Sequence, residues 1–390
     1  MDITQQGIVL LLRSAVTGEK AALPEGFSLE MACQLLRRQS VLLLGWQGAC
    51  NCGIPPVDPQ MQQLIQQYYR QLLRSERQLR AVEQLFQVLE AENIAYLPVK
   101  GCLLKQLYPK PELRAMGDAD ILIHPEDHIR LAPRMEDMGY QLRSDNAHVF
   151  YWHSDALAVE LHKSLIPPDD SDFYDYYGTG WHLAQLEQGC RYRLRPEDHY
   201  IFLIVHFARH YRLSGIGCRH VTDLYVFRRQ YPQMDLRYVE AELEKLHLLE
   251  FHGNVCRLLR AWFEDGQPDA VTELMTAFVF SGGNWGTEEA LLYAQEVRSA
   301  GKQSGIHNTV LRSAIRSVFP PVRAVRERYQ ILDKAPYLLP GVWVAKWLDI
   351  LLFRREAIGR KSAELHAIND SSVLSHKEAL LAVGLDFSHL

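Results

Sequence analysis

The chain has 390 residues, longer than the roughly 250–300 at which single hydrophobic cores stop growing, so more than one structural part is expected. Hydrophobic content of 47% and charged content of 23% are ordinary for a soluble globular protein. The formal net charge of −5 argues against a protein that coats long nucleic acid non-specifically, which carries a basic excess.

Met1-Asp2 is followed by a five-residue apolar run, 8–12, that Arg13 ends, so no secretory signal is expected. The seven cysteines, an odd number spread from Cys33 to Cys256, read as reduced thiols rather than a disulfide framework. Cys50 and Cys52 form a CxC without a second pair at zinc spacing. Residues 337–353 are interrupted by Pro340, Lys346 and Asp349, too polar for the roughly 20 apolar residues of a membrane span. A cytoplasmic location is the resulting expectation.

Residues 1–50 read as short helices, broken by Gly53-Ile54-Pro55-Pro56. A long amphipathic helix is predicted over 60–92, with Leu64, Tyr68, Leu72, Leu79, Val82, Phe86 and Leu89 among its apolar positions. The character then changes to a strand at 94–99, a helix at 102–108, a Pro-containing loop, and a strand at 118–124. A helix opened by Pro125 runs to Met138, where Gly139 ends it. Three strand-like runs follow at 140–143, 148–153 and 157–162, then a polar, aromatic loop at 167–180. Beyond Pro196 the pattern is helical, clearest at 199–211, 218–229, 236–246 and 251–263, with a Gly-rich turn at 282–286. Three parts are expected: an N-terminal helical region (1–92), an α/β core (93–166) and a C-terminal helical region (167–390).

Asp118 and Asp120 open the strand at 118–124, and the period of two puts both carboxylates on one face. Paired hard oxygen ligands suit Mg²⁺, and a third carboxylate from a neighbouring strand commonly completes such a site. Glu160 is the candidate, because a charge flanked by Val159 and Leu161 at mid-strand is otherwise costly. Gly101, at a strand-to-helix junction upstream, permits close backbone approach to a triphosphate. Lys100 or Lys105 is a further source of charge for phosphate, with a surface position the preferred reading for Lys105. An isolated DxD is more often a solvated turn, so the surrounding order of elements is what gives the pair its meaning.

The stretch Leu97-Pro-Val-Lys-Gly-Cys-Leu-Leu-Lys-Gln-Leu-Tyr108, then Leu113-Arg-Ala-Met-Gly-Asp-Ala-Asp-Ile-Leu-Ile123, then Met138-Gly-Tyr140, resembles the uncharacterised bacterial nucleotidyltransferase family of the DNA-polymerase-β-like superfamily. Glu160-Leu161-His162 matches that family's third-acid run. The resemblance is specific over about 70 residues and continues more weakly through 203–223, 319–320 and 337–343. It implies an α+β fold: a polymerase-β-like core of mixed sheet and helices, flanked by helical regions. It implies Mg²⁺ or Mn²⁺, an NTP donor such as ATP, and transfer of a nucleoside monophosphate to an acceptor hydroxyl with pyrophosphate release. Asp118, Asp120 and Glu160 would hold the metal. Lys100, Gly101, Cys102, Arg114 and His162 would meet the nucleotide. The chain departs from the superfamily in two places: Gly101-Cys102 stands for Gly-Ser, and the third acid is Glu rather than Asp. Those departures leave a second reading open, a catalytically degenerate nucleotide-binding or protein-interaction module.

Secondary candidates keep more than one reading. Arg114 suits either triphosphate oxygens or local bonds to backbone carbonyls and Asp118. His162 shares a strand face with Glu160 and suits orienting that acid, meeting substrate or simple packing. His206 and His210, one helical turn apart, suit core packing, a cleft wall or zinc. Arg219 and Asp223 suit an i,i+4 ion pair or a place beside the nucleotide. The segment 342–353, with Trp343 and Trp347, suits a helical core layer or a membrane surface. The acceptor and the base preference are not written in the sequence.

Overall fold

In a computed structural model, the structure describes residues 1–282 apart from 147, 169 and 214, together with 319–320, 325, 335–353 and 377–386. The chain divides into two units, Met1–Gly286 with Val383–Leu385, and Thr287–Ala382 with Asp386–Leu390.

The first unit begins with helices α1 (Ile3–Thr17), α2 (Leu29–Arg38) and α3 (Leu42–Cys52). Asp2 and Gln5 form a capping box at the start of α1, and Gly18, at φ +80, ends it. Helices α1 and α3 approach so closely that a β-carbon at Gly48 would overlap the Leu11 carbonyl oxygen. The long helix α4 (Pro59–Ala91) starts at the Asp58 cap with Pro59 in its first turn. Its buried stripe of Val82, Leu85 and Leu89 joins Ile121, Ile123, Val159 and Leu161 in one core under the sheet.

The sheet has seven strands in the order β3-β4-β5-β2-β1-β7-β6: β1 (Tyr96–Val99), β2 (Asp118–Ile123), β3 (Gln141–Asp145), β4 (His148–Trp152), β5 (Ala158–His162), β6 (Ala184–Gln188) and β7 (Arg191–Leu194). The pairs β2–β5 and β1–β7 are parallel and the remainder antiparallel. Between the strands lie α5 (Gly101–Leu107), α6 (Asp127–Asp137) and α7 (Ser171–Tyr177). The C-terminal helices of this unit are α8 (Pro196–Leu213), α9 (Cys218–Gln230), α10 (Leu236–Lys245), α11 (Leu249–Phe263) and α12 (Ala270–Gly282). The architecture is therefore α+β, a mixed sheet with helices on both sides in sequence.

Buried Gln39 shows how the terminal helices are joined. Its amide donates to the Val279 carbonyl at 3.0 Å and its oxygen accepts from the Cys218 N–H at 2.8 Å. A buried amide so satisfied fixes orientation, because losing either partner strands a polar group.

Several expectations are corrected here. Residues 167–180 are not all loop, since 171–177 coil into α7. The helix after β2 begins at Asp127, two residues past Pro125, which lies in the preceding turn. The hairpin β6–β7 has no counterpart in the sequence reading: both strands are short and largely exposed, so they carry little apolar alternation. Gly189 at φ +56 was the turn signal to notice.

In the second unit a helix spans Leu339–Phe353, covering the segment 342–353 that reads from sequence as a helical core layer or a membrane-surface helix. Trp343 donates its indole N–H to the Pro320 carbonyl at 2.8 Å and packs edge-on against Phe319. Among the described residues no helix is long and apolar enough to cross a membrane. Of the Gly-rich turn at 282–286, Gly282 ends α12 and residues 283–286 lie outside the described residues.

Candidate active site

Strand β2 is buried on both faces, and its alternation sorts the chemistry. Ala119, Ile121 and Ile123 enter the core beneath the sheet, so Asp118, Asp120 and Leu122 take the opposite face. The same rule places Val159 and Leu161 of β5 in the core and turns Glu160 and His162 to the other side. Parallel pairing then sets Asp120 directly opposite Glu160 and Leu122 opposite His162. His148 of β4 pairs with His162 and brings a second imidazole to that face.

Asp120 is 5% exposed and is the best-connected acid of the group. Its Oδ1 receives Lys100 Nζ at 2.8 Å and lies 2.9 Å from His162 Nε2. Glu160 lies 3.7 Å from both His148 and His162. One ligand atom each from Asp120, Glu160 and His162 falls within 4.8 Å of the others, close enough to converge on a single ion. Asp118 shares the strand face but stands outside that tight group.

The electrostatics divide the acids. Burial pushes the Asp120 carboxyl up, but Lys100 and then His162 outweigh it and hold the group well below the usual carboxylate range. Burial, with the charges of Asp120 and Asp118 behind it, pushes Glu160 up to about 7. Asp118 is raised by burial and by Asp120. His162 and His148 are both lowered by burial, so each tends to be neutral and able to offer a ring nitrogen. Crowded, desolvated carboxylates of this kind are relieved by a cation.

Lys100, Asp118, Asp120 and Glu160 form one end of a cleft of about 210 Å³, whose lining does not include His162 or His148. Its opposite wall comes from α8 and α9 and includes His206, Phe207, His210, Arg219, His220 and Asp223. His206 and His210 thus take the cleft-wall reading, with their Nε2 atoms 3.1 Å apart. No third His, Cys, Asp or Glu ligand accompanies them within ion-binding distance among the described residues. Burial lowers His210 to about 4 and carries His206 and His220 well below their ordinary range, leaving this wall with neutral imidazoles.

Arg114 is 4% exposed and makes neither of the local bonds considered from sequence. Its Nε and Nη2 donate to the two oxygens of Asp223 at 2.7 and 2.9 Å, and Tyr108 donates to Asp223 Oδ1 at 2.7 Å. Asp223 is therefore bound by Arg114 from the β1–β2 connection, an arrangement that the i,i+4 spacing to Arg219 concealed. The third nitrogen, Nη1, is buried on the cleft wall without a partner among the described residues. A buried N–H left open in this way is a ready donor to an anion.

Gly101 lies beside that nitrogen. A β-carbon there would sit 3.2 Å from Met116 Cγ and 3.4 Å from Arg114 Nη1, so the missing side chain keeps the wall open. Cys102 faces the other way, into the core beneath the sheet, and burial pushes its thiol up to about 12. Lys105, read from sequence as a surface residue, is instead fully buried and donates to the Arg114 carbonyl at 2.9 Å. Burial, then Arg114, brings its ammonium down to about 8. The sequence concealed this because a lone lysine in a helix has no local signal for a distant carbonyl.

A mixed sheet thus presents clustered carboxylates to a cleft that carries a buried arginine nitrogen on its wall. Over residues 26–264 the chain matches the family described as uncharacterised nucleotidyltransferases, and it belongs to that family. No curated protein and no solved structure matches the chain. The match spans the sheet, α8, α9 and the whole cleft, and the mixed sheet with flanking helices is its nucleotidyltransferase core.

Proposed function

We propose that the protein transfers a nucleoside monophosphate from an NTP to an acceptor hydroxyl, releasing pyrophosphate. The observation that carries this reading is the convergence of Asp118, Asp120 and Glu160 on one cleft whose wall holds Arg114 Nη1, buried without a partner among the described residues. Hard carboxylate oxygens fit Mg²⁺ or Mn²⁺; Asp120 and Glu160, which group with His162, would hold it, with Asp118 on the same strand face beside them. A divalent ion there supplies charge neutralisation at the reacting phosphate and lowers the pKa of a bound hydroxyl.

The chain's own groups contribute the rest. Arg114 Nη1 donates to a phosphate oxygen, held in place by the Asp223 fork at its other two nitrogens. Lys100 and Arg219 add positive charge along the cleft. Glu160, on the same face as Asp120, is placed to accept the acceptor's proton as the acceptor oxygen forms a bond to the α-phosphorus and the bond to pyrophosphate breaks. Leu203, Phe207 and Leu224 line the helical side and limit water. The seven free cysteines suit a reducing compartment such as the cytoplasm.

The test is incubation with each of four α-³²P-labelled NTPs, Mg²⁺ or Mn²⁺, and a cell extract supplying acceptors. Label transfer with pyrophosphate release is expected, and an Asp118→Ala/Asp120→Ala variant should lose it. Equal labelling by wild type and variant would overturn the reading. The burial of Cys102 away from the cleft favours a second reading, nucleotide binding without turnover, which predicts calorimetric NTP binding but no labelled product.

A further inference from the structure

Lys100 is singled out by two independent observations. Its backbone is held at φ +48, ψ −116 between the end of β1 and the start of α5. A side chain disfavours that region, and a non-glycine residue stays there only where its surroundings enforce it. A sharp strand-to-helix elbow of this kind lifts its side chain above the end of a sheet. The lifted group then reaches Asp120 Oδ1 at 2.8 Å, an oxygen of the same carboxylate that groups with Glu160 and His162.

An ammonium on that oxygen and a divalent cation at the same carboxylate repel each other and compete for its lone pairs. A carboxylate cluster this buried also needs some positive charge in order to fold without an ion. We propose that Lys100 is a displaceable counter-cation. It neutralises Asp120 in the metal-free protein, yields the oxygen to a divalent ion, and turns to phosphate oxygens of the nucleotide entering the same cleft. This rests on the reading of the carboxylates as a metal seat. Lys100 already lines the cleft beside Asp118, Glu160 and Arg219, so rotation about its flexible four-carbon stem suffices.

The experiment compares Mn²⁺ binding by the full chain without nucleotide, read from the electron paramagnetic resonance signal of free Mn²⁺. Wild type is set beside Lys100→Gly, Lys100→Met and Asp120→Asn. Glycine adopts positive φ without strain, so Lys100→Gly retains the fold, which its unfolding midpoint verifies. Both Lys100 variants should bind Mn²⁺ about three- to tenfold more tightly, as expected when a contact cation is removed from a partly buried carboxylate. The gain should persist in about 0.5 M salt, where screening confines electrostatics to a few ångströms. Inorganic triphosphate, added to the Mn²⁺-loaded protein, should bind both variants more weakly than wild type.

Unchanged or weaker Mn²⁺ binding by folded Lys100→Gly, with wild-type binding intact and lost in Asp120→Asn, overturns the displacement and leaves the metal seat standing. A gain seen only at low salt also overturns it, since that is a long-range field. If neither wild type nor variants bind Mn²⁺ up to millimolar concentrations, the metal seat itself fails, and this proposal with it.

Discussion

Asp120 and Glu160 stand directly opposite one another across the parallel pair β2–β5, with the His162 ring 2.9 Å from the first acid and 3.7 Å from the second. Two acids in such register repel unless a cation or a proton intervenes. Replacing either carboxylate with its amide should therefore weaken Mn²⁺ binding and nucleotidyl transfer together, each by about 100-fold or more. Titration of Asp120→Asn and Glu160→Gln with Mn²⁺, beside a turnover assay, checks this. Loss of turnover with full metal affinity would assign the acids a different role.

The two acids also predict opposite pH behaviour. Glu160 is raised to about 7 by burial and by Asp120, so its stabilising state is the protonated one, fully present below the ordinary carboxylate value of 4.5. That contribution is lost as pH rises from about 4.5 through about 7. Glu160→Gln should thus stabilise the metal-free protein at pH 8 by on the order of 2 kcal/mol and have little effect at pH 4. Asp120, depressed, contributes stability above its ordinary value and loses it as acid is added below that value. Urea unfolding at several pH values distinguishes the two, and Mn²⁺ affinity should rise with pH up to about 7 in wild type only.

The Arg114–Asp223 fork separates structure from ligand binding. Asp223→Ala leaves a buried guanidinium uncompensated and should cost about 3–5 kcal/mol in chemical denaturation. The double replacement Arg114→Met/Asp223→Leu should regain most of that stability, because apolar residues of similar size tolerate the same interior. It should nonetheless fail to recover triphosphate affinity, since Nη1 is gone. Recovery of both would show that Arg114 is purely structural.

Gly48 tests the helical layer independently of the cleft. A β-carbon there overlaps the Leu11 carbonyl, a backbone atom that cannot rotate away. Gly48→Ala should destabilise the protein by about 2–3 kcal/mol despite alanine's better helix propensity. A raised thermal midpoint in this variant would contradict the close approach of α1 and α3.

What the sequence determined by itself was whatever local periodicity encodes. Alternation in Asp118-Ala-Asp-Ile-Leu-Ile123 and Ala158-Val-Glu-Leu-His162 puts the acids on one face of each strand, and the strand–helix–strand order around Gly101 follows from short-range pattern. The tertiary structure alone decided which strands are neighbours and which charges meet. Strand β5 lies beside β2 although a helix and a hairpin intervene in the chain, and that adjacency brings Glu160 and His162 to Asp120. Arg114 found Asp223 on α9, and Lys105 found a carbonyl in the interior, through contacts with no local sequence signature. A polar partner far along the chain is chosen by packing and desolvation, which depend on three-dimensional surroundings rather than on spacing.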